Sequence, residues 1–183
     1  VIFTTVKVIG SKSKIYVSYP HLAQDVQIGE RIFLDDGKME VQVKKVLNDE
    51  EVLVSVTVGG VLLPKKGVNL PDSALTMPSL TVKDIADLDF ILKQDLEWVA
   101  LSFVRKAIDI IDLKKRIKDR KSKMKVIAKL EMPEALNNIR DLIVESAGIM
   151  VDSCALGVEL PVERVPILQN ELLLQRTTRR TTP

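Results

Sequence analysis

Short apolar runs with a period of two fill the chain from Val1 to about Leu63. They are rich in Val and Ile and are separated by Gly, Pro, Asn and Asp, which is typical of closely spaced β-strands joined by turns. Asp36-Gly37 and Gly59-Gly60 are expected to form hairpin turns, because glycine tolerates a positive φ. The pattern predicts four or five strands in a small β-barrel or sandwich, and the clearest runs are Lys14–Tyr19, Arg31–Leu34, Met39–Val43 and Val52–Val58.

Beyond an extended connector marked by Pro64, Pro71 and Pro78, the pattern changes to helices that alternate with strands. Thr81, followed three residues later by Asp84, predicts a capped helix start. This alternation predicts βα units around a parallel sheet. The predicted strands are Trp98–Val104, Lys125–Lys129 and Gly148–Val151, and the predicted helices carry apolar stripes at Ile85, Leu88 and Leu92, at Ile110, Leu113 and Ile117, at Leu136, Ile139 and Ile143 after Pro133, and at Val165, Leu168 and Leu172.

Composition places the chain among globular proteins of one or two domains. It has 183 residues, of which 46% are hydrophobic and 28% charged, enough to bury a core. The net charge of +2 is too balanced to indicate a nucleic acid or a membrane surface as partner. No apolar run is long enough to cross a bilayer. A single cysteine, Cys154, rules out an internal disulfide and fits a reducing compartment.

Lys129 and Glu131 place a cation and a carboxylate two residues apart at the end of an apolar strand. Because side chains of a strand alternate between its faces, both charged groups leave the same face. The pair alone is open to two interpretations, which are a surface ion pair beyond a buried strand and a site where an anion meets a metal ion.

Motifs of several common classes of enzyme are missing from the sequence. His21 is the only histidine and has no companion at metal-binding spacing. There is no Gly-x-Ser-x-Gly elbow, Walker loop or Gly-x-Gly-x-x-Gly run.

Read in order, a series of blocks resembles pyruvate kinase over nearly the whole chain. The blocks occur in the order and at the spacing of that family. They are Phe3-Thr4-Thr5, Leu34-Asp35-Asp36-Gly37, Lys66-Gly67-Val68-Asn69-Leu70-Pro71, Ser102-Phe103-Val104-Arg105, Lys129-Leu130-Glu131, Gly148-Ile149-Met150-Val151 and Leu156-Gly157-Val158-Glu159-Leu160-Pro161.

The resemblance implies a mixed fold of α/β and all-β parts. Residues 1–70 correspond to a small β-barrel lid domain that the family inserts into a (β/α)₈ TIM-type barrel. Residues 71–183 correspond to a partial barrel segment with three βα units, the fourth to sixth strands. A complete barrel takes about 250 residues. The chain is therefore expected to be a fragment, a chain completed by a partner, or an incomplete form.

The resemblance also implies phosphoryl transfer from phosphoenolpyruvate to ADP, giving pyruvate and ATP in glycolysis, with Mg²⁺ or Mn²⁺ and K⁺ as cofactors. Lys129 would be the catalytic cation beside the transferring phosphoryl group. Glu131 would be one of two carboxylates that hold the divalent ion. Lys66 and Asp36 would reach the nucleotide phosphates from the lid.

Ser102 and Arg105 would lie at the mouth of the cleft. Their alternative roles are a cap on the following segment for Ser102 and an ion pair with a carboxylate for Arg105.

The sequence departs from the family at the second metal carboxylate. Where the family usually has Ala-Arg-Gly-Asp, this chain has Asp152-Ser153-Cys154-Ala155, so Ala155 stands at the ligand position and cannot ligate. Asp152 is expected to point elsewhere. The backbone amides of Cys154 and Ala155 could still bind a substrate carboxylate. The Cys154 side chain is interpreted as a small filler, with a reactive thiol as the alternative.

Two functional hypotheses follow. In both, the protein is expected to be cytoplasmic, with a plastid as the alternative compartment. The first is a chain derived from a functional pyruvate kinase, a family whose full-length members are commonly homotetramers. The second is a catalytically silent pyruvate-kinase-like structural or interaction protein. The family's K⁺ ligands and its proton-handling threonine have no matching motif here, and residues 175–183 form a basic, low-complexity end.

Overall fold

The computed structural model describes residues 1–161 and 163–170. The chain divides into two compact units between Met77 and Pro78. The sequence pattern predicts this change near residue 70, but the connector that follows stays with the first unit. Leu70 is buried in the core of that unit, and the Thr76 N–H donates to Asp25 at 2.8 Å.

The first unit is built on a six-stranded sheet in the order β2-β1-β5-β4-β3-β6. Strand β1 pairs in parallel with β2, and all the other pairs are antiparallel. Alternate side chains of β4, including Met39, Val41 and Val43, enter the core. The elements are β1 (Ile2–Thr4), β2 (Lys14–Tyr16), α1 (Leu22–Asp25), β3 (Arg31–Leu34), β4 (Met39–Asn48), β5 (Glu51–Val58) and β6 (Val68–Asn69).

The two predicted glycine turns have different outcomes. Asp36-Gly37 does join β3 to β4, and Asp35, Asp36 and Gly37 all have positive φ. Gly59-Gly60 does not form a hairpin, because the next strand, β6, pairs with β3 and not with β5. Gly60 instead lies close to a core side chain, since a Cβ there would lie 2.8 Å from Cγ of Met39 and would force that side chain to shift.

The second unit has the predicted alternation of helices and strands. Its sheet holds three parallel strands in the order β7-β8-β9. The elements are α2 (Val82–Ile91), β7 (Trp98–Leu101), α3 (Ala107–Asp119), β8 (Lys125–Leu130), α4 (Pro133–Asn137), α5 (Ile139–Glu145), β9 (Gly148–Val151) and α6 (Ser153–Glu159), and residues 164–170 are helical.

Local sequence signals explain several of these elements. Thr81 and Asp84 form both bonds of the capping box at the start of α2, which satisfies N–H groups that a helix start leaves free. Ile110, Leu113 and Ile117 are buried on α3 as predicted. None of the described helices combines the length and the apolar character that crossing a bilayer requires.

Three predicted details are wrong or lie outside the described residues. Strand β7 ends at Leu101 instead of Val104, because Phe103 takes a positive φ of 55°. The helix after Pro133 breaks at Asn138, and its buried residues are Ala135 and Leu142, whereas Ile139 of the predicted stripe is only partly buried against the same core. Leu172 and residues 175–183 lie outside the described part of the chain.

Candidate active site

The carboxyl ends of the three parallel strands bring several charged and polar residues to one edge of the sheet. Leu101 lies beside Ala128, and Leu130 lies beside Val151, so the residues that follow these positions are neighbours. In barrel enzymes this edge carries the active site. The candidate site consists of Ser102, Lys129, Glu131, Asp152 and Ala155.

Lys129 is the centre of the candidate site. Its Nζ forms an ion pair with Oε1 of Glu131, donates to Oγ of Ser102 at 3.3 Å and lies 3.6 Å from Oδ2 of Asp152. The hydrogen bond that Lys129 donates to Glu131, together with the charges of Glu131 and Asp152, raises the pKa of Lys129 above its usual value, against a smaller opposing effect of burial. The ammonium group is therefore charged at neutral pH.

Glu131 is held in place by two partners. It is only 4% exposed, and its second oxygen, Oε2, accepts the N–H of Phe103 at 3.1 Å. Phe103 has a φ of 55°, which is uncommon for a residue other than glycine. A buried carboxylate needs such partners, because it has lost its water. Both oxygens of Glu131 are thus engaged by groups of the chain itself.

The sequence predicts that Asp152 points away from the other site residues, but its side chain lies in the candidate site. It is the N-cap residue of α6, and its Oδ1 accepts the N–H of Ala155 at 3.1 Å. A cap side chain folds back over the first turn of its helix. This orientation leaves Oδ2 facing Lys129. The predicted direction of the Asp152 side chain is therefore wrong.

One of the two backbone amides that were expected to meet a substrate carboxylate already has a partner within the chain. The Ala155 N–H already has the carboxylate of Asp152 as its partner. Cys154 is exposed, so the interpretation of its side chain as a packing filler is wrong. Ser153 is exposed as well.

Ser102 and Arg105 have separate roles at the end of β7. Ser102 contacts Lys129 and so belongs to the candidate site. The backbone of Arg105 links helices, because its N–H donates to Asp109 at 2.9 Å and its carbonyl accepts from Asn138 at 3.0 Å.

The two lid residues that the resemblance implicates lie in the first unit. Nζ of Lys66 forms an ion pair at 2.9 Å with Oδ1 of Asp35, whereas Asp36 is exposed. The hydrogen bond with Asp35 raises the pKa of Lys66 above its usual value, and the same bond lowers the pKa of Asp35. Sequence reasoning missed Asp35, because its contact joins two turns that are far apart in the chain.

The residues of the candidate site do not fit a divalent cation in this arrangement. Mg²⁺ and Mn²⁺ need several oxygen ligands. Glu131 is bound by Lys129 and Phe103, Asp152 caps a helix, and Ala155 offers a methyl group. Across residues 1–161 and 163–170, no group of three or more His, Cys, Asp or Glu side chains could hold a metal ion.

Comparison with known proteins places this geometry in context. The protein-family model described as pyruvate kinase, barrel domain, matches residues 2–182. Pyruvate kinases from Staphylococcus aureus strains MRSA252 and USA300 are each 38% identical to the chain over 176 residues, which is 96% of this chain and 30% of the relative. The chain thus spans about a third of the length of these relatives.

A solved structure agrees with the sequence comparison. The crystal structure of a pyruvate kinase from Cryptosporidium parvum superposes with a TM-score of 0.88 at 31% identity, covering 95% of this chain and 37% of that one. The prediction of a partial TIM-type barrel segment with an inserted β domain is confirmed.

Proposed function

The chain belongs to the pyruvate kinase family, and from this membership we propose that it forms the lid domain and part of the catalytic face of a phosphotransferase. The proposed reaction moves a phosphoryl group from phosphoenolpyruvate to ADP. We further propose a cytoplasmic protein whose complete form is a homo-oligomer.

The observation that supports this proposal is the meeting of Lys129, Glu131 and Ser102 at the carboxyl end of parallel strands. Phosphoryl transfer depends on positioning and on neutralising negative charge that spreads over the oxygens. Lys129 would neutralise that charge. Glu131 and Ser102 would hold the ammonium group in position, because both contact it.

Pyruvate kinases use a divalent and a monovalent cation for this reaction. The candidate site has Ala155 where the family has its second metal-ligating carboxylate, and its other carboxylate, Asp152, caps a helix. Lys66 and Asp36 of the first unit are proposed to bind the nucleotide phosphates. Ser102 and Arg105 would border the substrate cleft.

A second candidate is a catalytically silent member of the family with a structural or interaction role. Ala155 favours it, because a methyl group cannot replace a ligand carboxylate. The ion pair between Asp152 and Lys129 favours it as well, because the catalytic cation already has an internal partner.

A chimeric enzyme would separate the two candidates. This chain replaces the matching segment of the Staphylococcus aureus enzyme, and pyruvate formation is measured in a coupled assay with Mg²⁺ and K⁺. Pyruvate formation by the chimera that disappears in its Lys129→Met variant supports the phosphotransferase hypothesis. A folded chimera that stays inactive, even with Ala155→Asp, supports the silent protein.

A further inference from the structure

Asp152 is the residue of the candidate site that the proposed function leaves without a role. Its carboxylate bridges two groups, since Oδ1 accepts the Ala155 N–H at 3.1 Å and Oδ2 lies 3.6 Å from Nζ of Lys129. Both groups attract anions, because one is a backbone donor and the other an ammonium ion. A carboxylate of the chain thus lies where an external anion would bind.

The charges of the candidate site oppose the entry of an anion. Lys129 carries one positive charge and faces the two negative charges of Glu131 and Asp152. The three side chains together have a net negative charge. An incoming phosphate is therefore repelled unless one carboxylate moves away or is removed.

Asp152 is the carboxylate that can move. Glu131 has a side chain only 5% exposed, whereas the side chain of Asp152 is 32% exposed. Oε2 of Glu131 is fixed by the Phe103 N–H at 3.1 Å. The Asp152 backbone is anchored, because its N–H donates to the Leu130 carbonyl at 3.2 Å, so a side-chain rotation alone would open the space beside Lys129.

We infer that Asp152 is a specificity-determining residue that acts as an internal anion at Lys129 and must be displaced by any phosphate group that binds Lys129. The inference rests on the proposed function for the role of Lys129 as the group that meets the phosphoryl oxygens. It concerns binding alone and does not require turnover.

Isothermal titration calorimetry of inorganic phosphate binding to the 183-residue chain, at low salt, tests this inference. Asp152→Asn removes the charge but keeps a good helix cap. It is expected to bind phosphate about tenfold more tightly than the unsubstituted chain, because a like charge next to the ammonium is gone. Asp152→Ser, which also caps, replaces it if the asparagine variant does not fold.

Two matched variants make the result specific. Asp119→Asn makes the same charge change at an exposed residue near the end of α3, and its phosphate affinity should stay within about twofold of the parent. Adding Lys129→Met to Asp152→Asn should abolish the gain.

Equal phosphate affinity of the Asp152→Asn and Asp119→Asn chains would overturn the inference. A gain that persists without Lys129 would also overturn it, as would the absence of measurable binding to the folded Asp152→Asn chain. None of these measurements depends on pyruvate formation. A failure of this inference is therefore distinguishable from a failure of the proposed function.

Discussion

Asp35 and Lys66 form an ion pair that joins two turns of the first unit, with 2.9 Å between Oδ1 and Nζ. The backbone strengthens the same contact, because the Asp35 N–H donates to the Gly67 carbonyl at 3.1 Å. Asp35 is only 8% exposed. The lysine proposed to reach nucleotide phosphates is therefore positioned by the first aspartate of the turn and not by Asp36.

Asp35→Asn should lower the pKa of Lys66, because the hydrogen bond with Asp35 is the main cause that raises it. NMR of the ¹³C-dimethylated lysines measures this pKa directly. The contribution of the pair to stability is present below the unfolded pKa of about 10.4 and is lost as pH rises through the folded pKa. Asp36→Asn is the control and should have the smaller effect. An equal effect of both variants would refute the assignment.

Asp72→Asn should weaken the first unit at neutral pH. Asp72 accepts two hydrogen bonds from the Arg31 side chain, at 3.0 and 2.8 Å, and these lower its pKa. Because both side chains are partly exposed, the expected loss in the free energy of unfolding is about 0.5–1 kcal/mol. Urea denaturation measures it.

The same variant gives a pH dependence with a defined sign. A carboxylate with a lowered folded pKa stabilises above its unfolded pKa of about 3.9, and the effect disappears as pH falls through the folded pKa. The difference between Asp72→Asn and the parent should therefore shrink below about pH 4. Asp49→Asn, at an exposed turn residue, should show no such difference. A constant gap down to about pH 2 would contradict the ion-pair account.

Thr81→Ala should destabilise the second unit by about 1 kcal/mol, because it removes the cap of α2. Val82→Ala is the matched control, since Val82 is 87% exposed and contributes little packing. Thermal unfolding of both variants compares the two effects. Equal melting temperatures would show that the capping box contributes nothing.

Leu142→Ala tests the corrected register of α5. Leu142 is fully buried, so its truncation should cost about 2–5 kcal/mol of unfolding free energy. Val144→Ala, at a residue 53% exposed, should cost less than about 0.5 kcal/mol. A larger loss of unfolding free energy in Val144→Ala than in Leu142→Ala, measured by chemical denaturation, would contradict this burial pattern.

Periodic signals in the sequence predicted the elements well, because burial of alternate or helically spaced side chains determines them. Lys129 and Glu131 were placed on one strand face by this reasoning, and their side chains do meet. Asp152 escaped prediction, because its direction depends on capping α6 and not on the strand period. Phe103 and Asp35 escaped for a related reason, since each is a non-glycine residue with a positive φ that no local pattern indicates.

We expect the chemistry of the candidate site to depend on its carboxylate lying at position 152 in place of position 155. In the Staphylococcus aureus chimera, the double variant Asp152→Ala/Ala155→Asp restores the family residues at positions 152 and 155 together.

The most direct measurement is the rate of pyruvate formation by the unsubstituted chimera, the two single variants and the double variant. We expect the double variant to be fastest, at least about 10²-fold above the unsubstituted chimera, with each single variant between them. A double variant no faster than the folded, unsubstituted chimera would contradict it.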